Sequence, residues 1–124
     1  MDGLDPQLAL TRTTYPQAQV IHAAGVLDYL HAPLFRVQID AALRNNPLDL
    51  ILELSGVQLC DSSGLSELID ARRQAEAAKV RLMLAAVPGN LTRQLTITGL
   101  AAVFDSYPTL DDALQQDRPP TRSS

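Results

Sequence analysis

The chain has 124 residues, a net charge of −4 and 46% hydrophobic residues, which is enough apolar material for one layered domain with a single core. Its ten lysines and arginines are scattered, with Arg72-Arg73 the only adjacent pair, which argues against direct nucleic-acid binding. The single cysteine, Cys60, excludes an intrachain disulfide and a cysteine-based metal centre, and it is interpreted as a small buried hydrophobe.

The N-terminus carries no recognisable targeting signal. Residues 1–6 are acidic and lack the basic and apolar regions of a signal peptide. No apolar run approaches the ~18 residues of a membrane span. We therefore expect a short N-terminal lead on a soluble, cytoplasmic protein without membrane insertion.

The first two predicted strands form an N-terminal hairpin. Residues 8–14 and 18–23 have the character of strands, and Tyr15-Pro16 supplies the turn between them. Residues 33–43 predict the first helix, because apolar side chains recur at helical spacing and a proline stands in its first turn. The run Asn45-Asn46-Pro47 ends this helix.

A central strand and the longest helix follow. Residues 48–60 begin with leucines at alternate positions, which predicts the central strand. Residues 62–78 predict an amphipathic helix that can lie close to a sheet. Its predicted buried face consists of small or apolar residues: Gly64, Leu68, Ala71, Ala75 and Ala78.

The next segment contributes two strands and a short helix. Residues 80–84 predict a strand, Pro88-Gly89-Asn90 predicts a turn, and residues 91–98 predict a short helix that Gly99 closes in the C′ position. Residues 100–107 predict the last strand.

A capping motif predicts the terminal helix. Thr109 and Asp112 resemble a capping box with aspartate in place of the usual glutamate, and the helix is expected to continue through Asp117. Residues 118–124 contain two prolines and two serines, have nothing to bury and are predicted to be disordered. The predicted domain therefore spans residues 7–117.

The predicted element order is β-β-α-β-α-β-α-β-α. Strands that alternate with helices pair mostly in parallel, through right-handed crossovers. The sequence therefore predicts an α/β fold: a single domain with a mixed, mostly parallel sheet of about five strands packed by four helices.

The strand-to-helix junction carries the tetrapeptide Asp61-Ser62-Ser63-Gly64. Because the first N–H groups of a helix lack intrahelical partners, the side chain of Asp61 or Ser62 is predicted to cap them. The positive end of the helix dipole also tolerates a phosphate on Ser62. From spacing alone, a turn with an N-cap is the simpler interpretation of this tetrapeptide.

Catalytic and ligand-binding alternatives find little support in the residues. Ser62 lies outside a Gly-x-Ser-x-Gly elbow, and the only histidines are His22 and His31. The dispersed glycines form no phosphate-binding loop, and two histidines without carboxylate spacing predict no metal site. Asp28 and Asp61 are most simply solvated turn residues. No cofactor is predicted.

Residues 52–65, Leu-Glu-Leu-Ser-Gly-Val-Gln-Leu-Cys-Asp-Ser-Ser-Gly-Leu, resemble the signature of the STAS domain, the family of bacterial anti-sigma factor antagonists. The resemblance spans roughly residues 7–116. Gly25-Val26-Leu27-Asp28 is similar to the family's Gly-x-Leu/Val-Asp loop. Residues 95–100, Leu-Thr-Ile-Thr-Gly-Leu, are similar to its Leu-x-x-x-Gly-Leu segment, which the aromatic Phe104 follows.

The resemblance implies a switch in partner binding rather than catalysis, so the protein is expected not to be an enzyme. In the antagonists, an anti-sigma factor that is itself an ATP-dependent serine kinase phosphorylates the serine after the aspartate. That serine is Ser62 here, and Ser63 is the second candidate. The unphosphorylated antagonist captures the anti-sigma factor and frees a sigma factor for transcription, and a PP2C-type phosphatase reverses the modification. The implied partner-binding residues are Asp28, Asp61, Ser62, Ser63, Gly64 and Leu65.

Two departures from the family pattern concern the partner. Glu53 stands where many members have aspartate, and Tyr29-Leu30-His31-Ala32 differs from the usual lead into the first helix, a loop that is predicted to touch the partner. STAS domains also occur in anion transporters, in stress-sensing assemblies and as small subunits of lipid-trafficking ABC transporters. The intact Asp-Ser-Ser-Gly favours the antagonists, a transporter-associated role is the alternative, and both a monomer and a weak dimer are compatible with the sequence.

Overall fold

The computed structural model describes residues 7–116 and has the α/β fold predicted from the sequence. A five-stranded sheet with the order β1-β2-β3-β4-β5 carries four helices. The elements in chain order are β1 (Leu8–Thr14), β2 (Ala18–Leu27), α1 (Ala32–Leu43), β3 (Asp49–Cys60), α2 (Ser62–Ala77), β4 (Arg81–Ala85), α3 (Gly89–Ile97), a 3₁₀ turn (Leu100–Ala102), β5 (Asp105–Tyr107) and α4 (Leu110–Leu114). The predictions for residues 1–6 and 117–124 lie outside the described residues.

The sheet is mixed, as predicted. β1 pairs antiparallel with β2 through a hairpin in which the Tyr15 N–H donates to the Ala18 carbonyl at 2.8 Å. The pairs β2–β3, β3–β4 and β4–β5 are parallel, as expected where a helix separates successive strands. Parallel strands end at the same edge of the sheet, and the last residue of β2, Leu27, is the register partner of the last residue of β3, Cys60.

The core consists of two clusters on the two faces of the sheet. The larger cluster contains Leu50, Leu52 and Leu54 of β3 together with buried residues of α1, α2 and α3. The smaller cluster contains Ile51 of β3 and Ala113 of α4. Because successive strand residues point to opposite faces, β3 is buried on both sides along its first half. This explains why that part of its sequence is almost continuously apolar.

α2 packs on the sheet through the predicted face of small and apolar residues. Gly64, Leu68, Ala71 and Ala75 are buried. The prediction for Ala78 is wrong, because this residue is exposed and forms the C-cap, where its N–H donates to the Ala75 carbonyl at 3.1 Å. Lys79 then takes a positive φ of 61° and turns the chain toward β4.

β2 and α3 are longer than the sequence predicted. β2 continues to Leu27 instead of ending at residue 23, because its pairing with β3 resumes after register shifts around Gly25. α3 begins at Gly89, inside the predicted turn. Pro88 adopts an extended N-cap conformation, and its carbonyl accepts a hydrogen bond from the Thr92 N–H at 2.8 Å, so the helix starts two residues early.

The predicted strand over residues 100–107 is wrong in its first half. Gly99 adopts the left-handed conformation with φ of 80°, as its predicted C′ position requires. The Val103 N–H then donates to the Leu100 carbonyl at 3.0 Å, which forms the 3₁₀ turn. Only Asp105–Tyr107 pair with β4, so β5 has three residues.

The terminal helix has the predicted cap but a shorter extent. Thr109 Oγ1 accepts a hydrogen bond from the Asp112 N–H at 3.0 Å. α4 ends at Leu114 rather than continuing, and Gln115 is its C-cap, with its N–H donating to the Asp111 carbonyl at 2.9 Å.

Candidate functional site

The candidate site lies at the edge of the sheet where β2 and β3 end. The Asp61 N–H donates to the Leu27 carbonyl at 3.3 Å, which joins the first residue after β3 to the last residue of β2. Asp28 follows Leu27 directly. The structure therefore brings the Asp28 and Asp61 segments, which are distant in sequence, to one edge of the sheet.

Asp61 caps the N-terminus of α2. Its Oδ1 accepts a hydrogen bond from the Gly64 N–H at 3.0 Å, and its backbone carbonyl accepts one from the Leu65 N–H at 3.0 Å. Of the two predicted caps, it is Asp61 that binds the helix start. Ser62 is the exposed first residue of α2, whereas Ser63 is half-buried. A phosphate on Ser62 would thus lie at the positive end of a helix of 16 residues.

Gly64 allows the start of α2 to lie directly against the ends of both strands. A Cβ atom at this position would collide with the Leu27 carbonyl oxygen and lie 2.7 Å from Cys60 Sγ. A closely packed interior has no room for that atom unless the helix moves. The half-buried Leu65 packs against the larger core cluster beside it. The glycine is therefore explained by close packing of the helix on the sheet.

Two amide side chains from α3 hold the end of β3. Gln94 Nε2 donates to the Cys60 carbonyl at 2.7 Å, and Asn90 Nδ2 donates to the Gln58 carbonyl at 3.1 Å. Residues four apart lie on one face of a helix. Neither side chain could be recognised from the sequence as a support of the junction, because amides at this spacing in a short helix are equally typical of a solvated face.

Asp28 interacts with the start of α1. Its Oδ1 accepts a hydrogen bond from the His31 N–H at 3.1 Å and lies 2.6 Å from His31 Nδ1. Desolvation favours the neutral acid, but the hydrogen bonds from the His31 side chain and backbone and the attraction of the imidazole outweigh it. The pKa of Asp28 is therefore lower than its ordinary value of 3.8. At neutral pH this residue adds a second carboxylate to the edge that carries Asp61.

Cys60 is buried beneath the junction, as predicted. Desolvation, together with the negative charge of Asp61, raises the pKa of its thiol to about 11. The thiolate is the nucleophilic and metal-binding form of cysteine. Near neutral pH this side chain therefore contributes packing rather than chemistry.

An apolar groove, which we call the α1 groove, opens beside Asp28. Two adjoining cavities of about 600 and 260 Å³ form it, and both are lined by Leu8 and Leu34. Its apolar lining consists of Leu8, Leu10, Val26, Leu30, Leu34, Val37 and Leu59. Asp28 and His31 line the larger cavity. An exposed apolar surface of this kind is typical of a protein-binding site.

The described residues offer no alternative centre of metal chemistry. Within residues 7–116, no group of three or more histidine, cysteine, aspartate or glutamate side chains is placed to hold a metal ion. His22 Nδ1 lies 3.3 Å from Glu53 Oε1 as a cross-strand pair. In the same part of the chain, no helix combines the length and apolar character needed to cross a membrane.

Solved structures with the same fold include regulatory and transport proteins. An anti-sigma factor antagonist from Mycobacterium paratuberculosis is 28% identical, with a TM-score of 0.78, over 87% of this chain and 92% of that one. The Bacillus cell fate determinant SpoIIAA in its phosphorylated form is 21% identical, with a TM-score of 0.69, over 89% and 100%. A sulfate transporter family protein from Wolinella succinogenes is 19% identical, with a TM-score of 0.72, over 82% and 85%.

The family assignment comes from the sequence profile of the STAS domain, which matches residues 9–113. Comparison with curated protein sequences finds no significant match. The profile match covers most of the chain and includes the β3–α2 junction, the Asp28 loop and α3. The chain therefore belongs to the STAS domain family.

Proposed function

We propose that this protein is an anti-sigma factor antagonist in the cytoplasm, which binds an anti-sigma factor with serine kinase activity and is released when Ser62 is phosphorylated. The observation that carries the proposal is the exposed hydroxyl-bearing residue at the start of α2. Asp61 supplies the cap, so Ser62 is not needed to hold the helix start. The role proposed for the protein is binding, and the kinase supplies the chemistry.

Ser62 is a better acceptor than Ser63 on geometric grounds. Ser62 is exposed and Ser63 is half-buried. A kinase must bring the acceptor hydroxyl into line with the γ-phosphate, which requires access from solvent. A PP2C-type phosphatase that reverses the modification needs the same access.

Phosphorylation is expected to change the interface more than the fold. The added phosphate carries about −1.5 to −2 charges, which the N-terminal N–H groups of α2 partly balance. Asp28 and Asp61 already give this edge negative charge. A partner surface shaped for a neutral hydroxyl would meet added bulk and like charge. A loss of about 4 kcal/mol would weaken binding roughly a thousandfold.

The structural relatives support this proposal above the alternative. The relative that is 28% identical to this chain is an anti-sigma factor antagonist, and SpoIIAA, with the same fold, has been solved in its phosphorylated form. The similarity to a sulfate transporter family protein favours a second candidate, a STAS subunit of a transporter or stress-sensing complex. In that role the protein would bind its partner constitutively.

The test is a comparison of phosphorylated and unphosphorylated protein. Capture from native-cell lysate identifies the kinase, and titration calorimetry with the purified kinase then measures affinity for wild type, the Ser62 phosphoform, Ser62→Ala and Ser62→Asp. We expect Ser62→Ala to bind like wild type, and the phosphoform and Ser62→Asp to bind weakly.

Ser66→Asp is the matched control, because Ser66 is an exposed serine one turn further along α2. Ser66→Asp adds the same charge as Ser62→Asp but at a position one turn beyond the junction, and this variant should bind nearly as well as wild type. Equal affinity of wild type and the Ser62 phosphoform would contradict the switch. Recovery of transporter components by wild type and Ser62→Asp alike would support the alternative role.

A further inference from the structure

The outer face of α1 carries an apolar stripe outside the core. Leu34 and Val37 are three residues apart in α1 and therefore lie on one side of it. Leu30 lies in the turn before the helix and lines the same cavity as Leu34. The exposed fractions of Leu30, Leu34 and Val37 are 77%, 52% and 63%. The opposite side of α1 already buries Phe35 and Ile39 in the larger core cluster. The helix is therefore apolar on two sides, and within residues 7–116 the core covers only one of them.

The stripe forms one wall of the α1 groove, and other elements supply the opposite wall. Leu8 and Leu10 of β1 line the groove along α1, and Leu59 of β3, which is 61% exposed, lines it near Asp28. Leu34 and Val37 span about 5 Å along the helix axis, and Leu30 extends the stripe beyond the start of α1. A groove of this length and chemistry fits the apolar side of an amphipathic helix.

The groove is continuous with the proposed phosphorylation site. Asp28 and His31 line its larger cavity, and Leu59 lies two residues before the Asp61 cap. The Leu27 carbonyl and the Asp61 N–H join the same two segments at the sheet edge. A partner that covers Ser62 therefore lies close to segments that line the groove.

From this continuity we propose that the α1 groove is a second contact for the partner that recognises Ser62. It receives an apolar helix face of the anti-sigma kinase. This inference rests on the proposed function and divides the interface into two parts. The Ser62 end responds to charge, whereas the groove contributes apolar affinity that phosphorylation does not remove.

The experiment measures the affinity of lysine variants of the groove for the purified anti-sigma kinase by titration calorimetry. Leu34→Lys and Val37→Lys each place a charge in the groove, and each should weaken binding at least about tenfold. The matched control is Leu48→Lys. Leu48 is 55% exposed, close to the 52% of Leu34, and it precedes β3 at the opposite end of that strand from the site.

Thermal unfolding provides a check on the fold, since all three side chains are exposed and their replacement should leave the melting temperature nearly unchanged. Ser62→Asp in the same series separates the two proposals. Wild-type affinity in Leu34→Lys and Val37→Lys, with weak binding by Ser62→Asp, would overturn the groove contact and leave the phosphorylation switch standing.

Two further outcomes would also count against the groove contact. Equal weakening in Leu48→Lys would show that the loss comes from added charge rather than from the groove. If the wild-type protein sediments as a dimer that Leu34→Lys dissociates, the groove binds a second copy of this chain.

Failure of the wild type to bind the kinase would reject the proposed function itself.

Discussion

The side-chain amide of Gln94 donates a hydrogen bond to the backbone carbonyl of Cys60 at 2.7 Å, across 34 positions in the sequence. Cys60 is the last residue of β3 and immediately precedes the Asp61 cap. This bond makes α3 a support for the start of α2, although none of the predicted partner-binding residues belongs to α3. Asn90, one turn earlier, binds the Gln58 carbonyl in the same way.

Gln94→Ala is expected to lower the free energy of unfolding by about 1–2 kcal/mol, because the Cys60 carbonyl loses its partner in a part-buried position. Urea unfolding measures this change. The junction should also loosen, so amide exchange at Asp61 and Ser62 should become faster. Gln74→Ala in the last turn of α2 is the control, and equal loss in both variants would show that the Gln94 bond has no special role.

Gly64→Ala is expected to destabilise the protein by about 1–3 kcal/mol, because the added methyl group overlaps the Leu27 carbonyl and approaches Cys60 Sγ. Gly89→Ala is the matched control, since a Cβ on this residue meets no atom within 4 Å. It should be neutral or slightly stabilising, because alanine restricts the unfolded chain. Thermal unfolding of both variants tests the difference, and a neutral Gly64→Ala would contradict the close packing described at the junction.

The Cys60 thiol gives a pH dependence with a defined sign. Its pKa is about 11 in the folded protein, against 9.0 ordinarily. The folded state therefore keeps its proton at pH values where the unfolded state releases it. The free energy of unfolding should decrease as pH rises from 9.0 to about 11, and it should be unaffected by this group below that range.

Urea unfolding of wild type and Cys60→Ala is measured at several pH values between about 8 and 11.5. The effect appears as a difference between the two proteins in the slope of the free energy of unfolding against pH. The alanine variant should be less stable throughout because of the lost packing, but it should lack the alkaline slope that belongs to the thiol. Parallel curves for the two proteins would show that the thiol ionises as readily in the folded state as in the unfolded state.

The sequence predicted the elements with strong local signals most accurately. The period of two in the first half of β3 and the four-three spacing of α2 each follow from one buried face, and the fold preserves both. The cap at Asp61 and the left-handed Gly99 were predictable because their chemistry is local. The end of β2, the start of β5 and the end of α4 were predicted less well, because pairing and packing with distant residues decide where a strand or helix begins and stops.

Taken alone, the sequence determined the α/β class, the order of the elements and the position of Ser62 at a helix start, because hydrophobic period and capping chemistry act between near neighbours in the chain. Only the tertiary structure decided that Asp28 and Asp61 share one sheet edge, that Gln94 supports Cys60, and that an apolar groove runs from this edge along α1. These features depend on the register of parallel strands and on helices packed across the sheet. They join residues whose separation in the sequence carries no local signal.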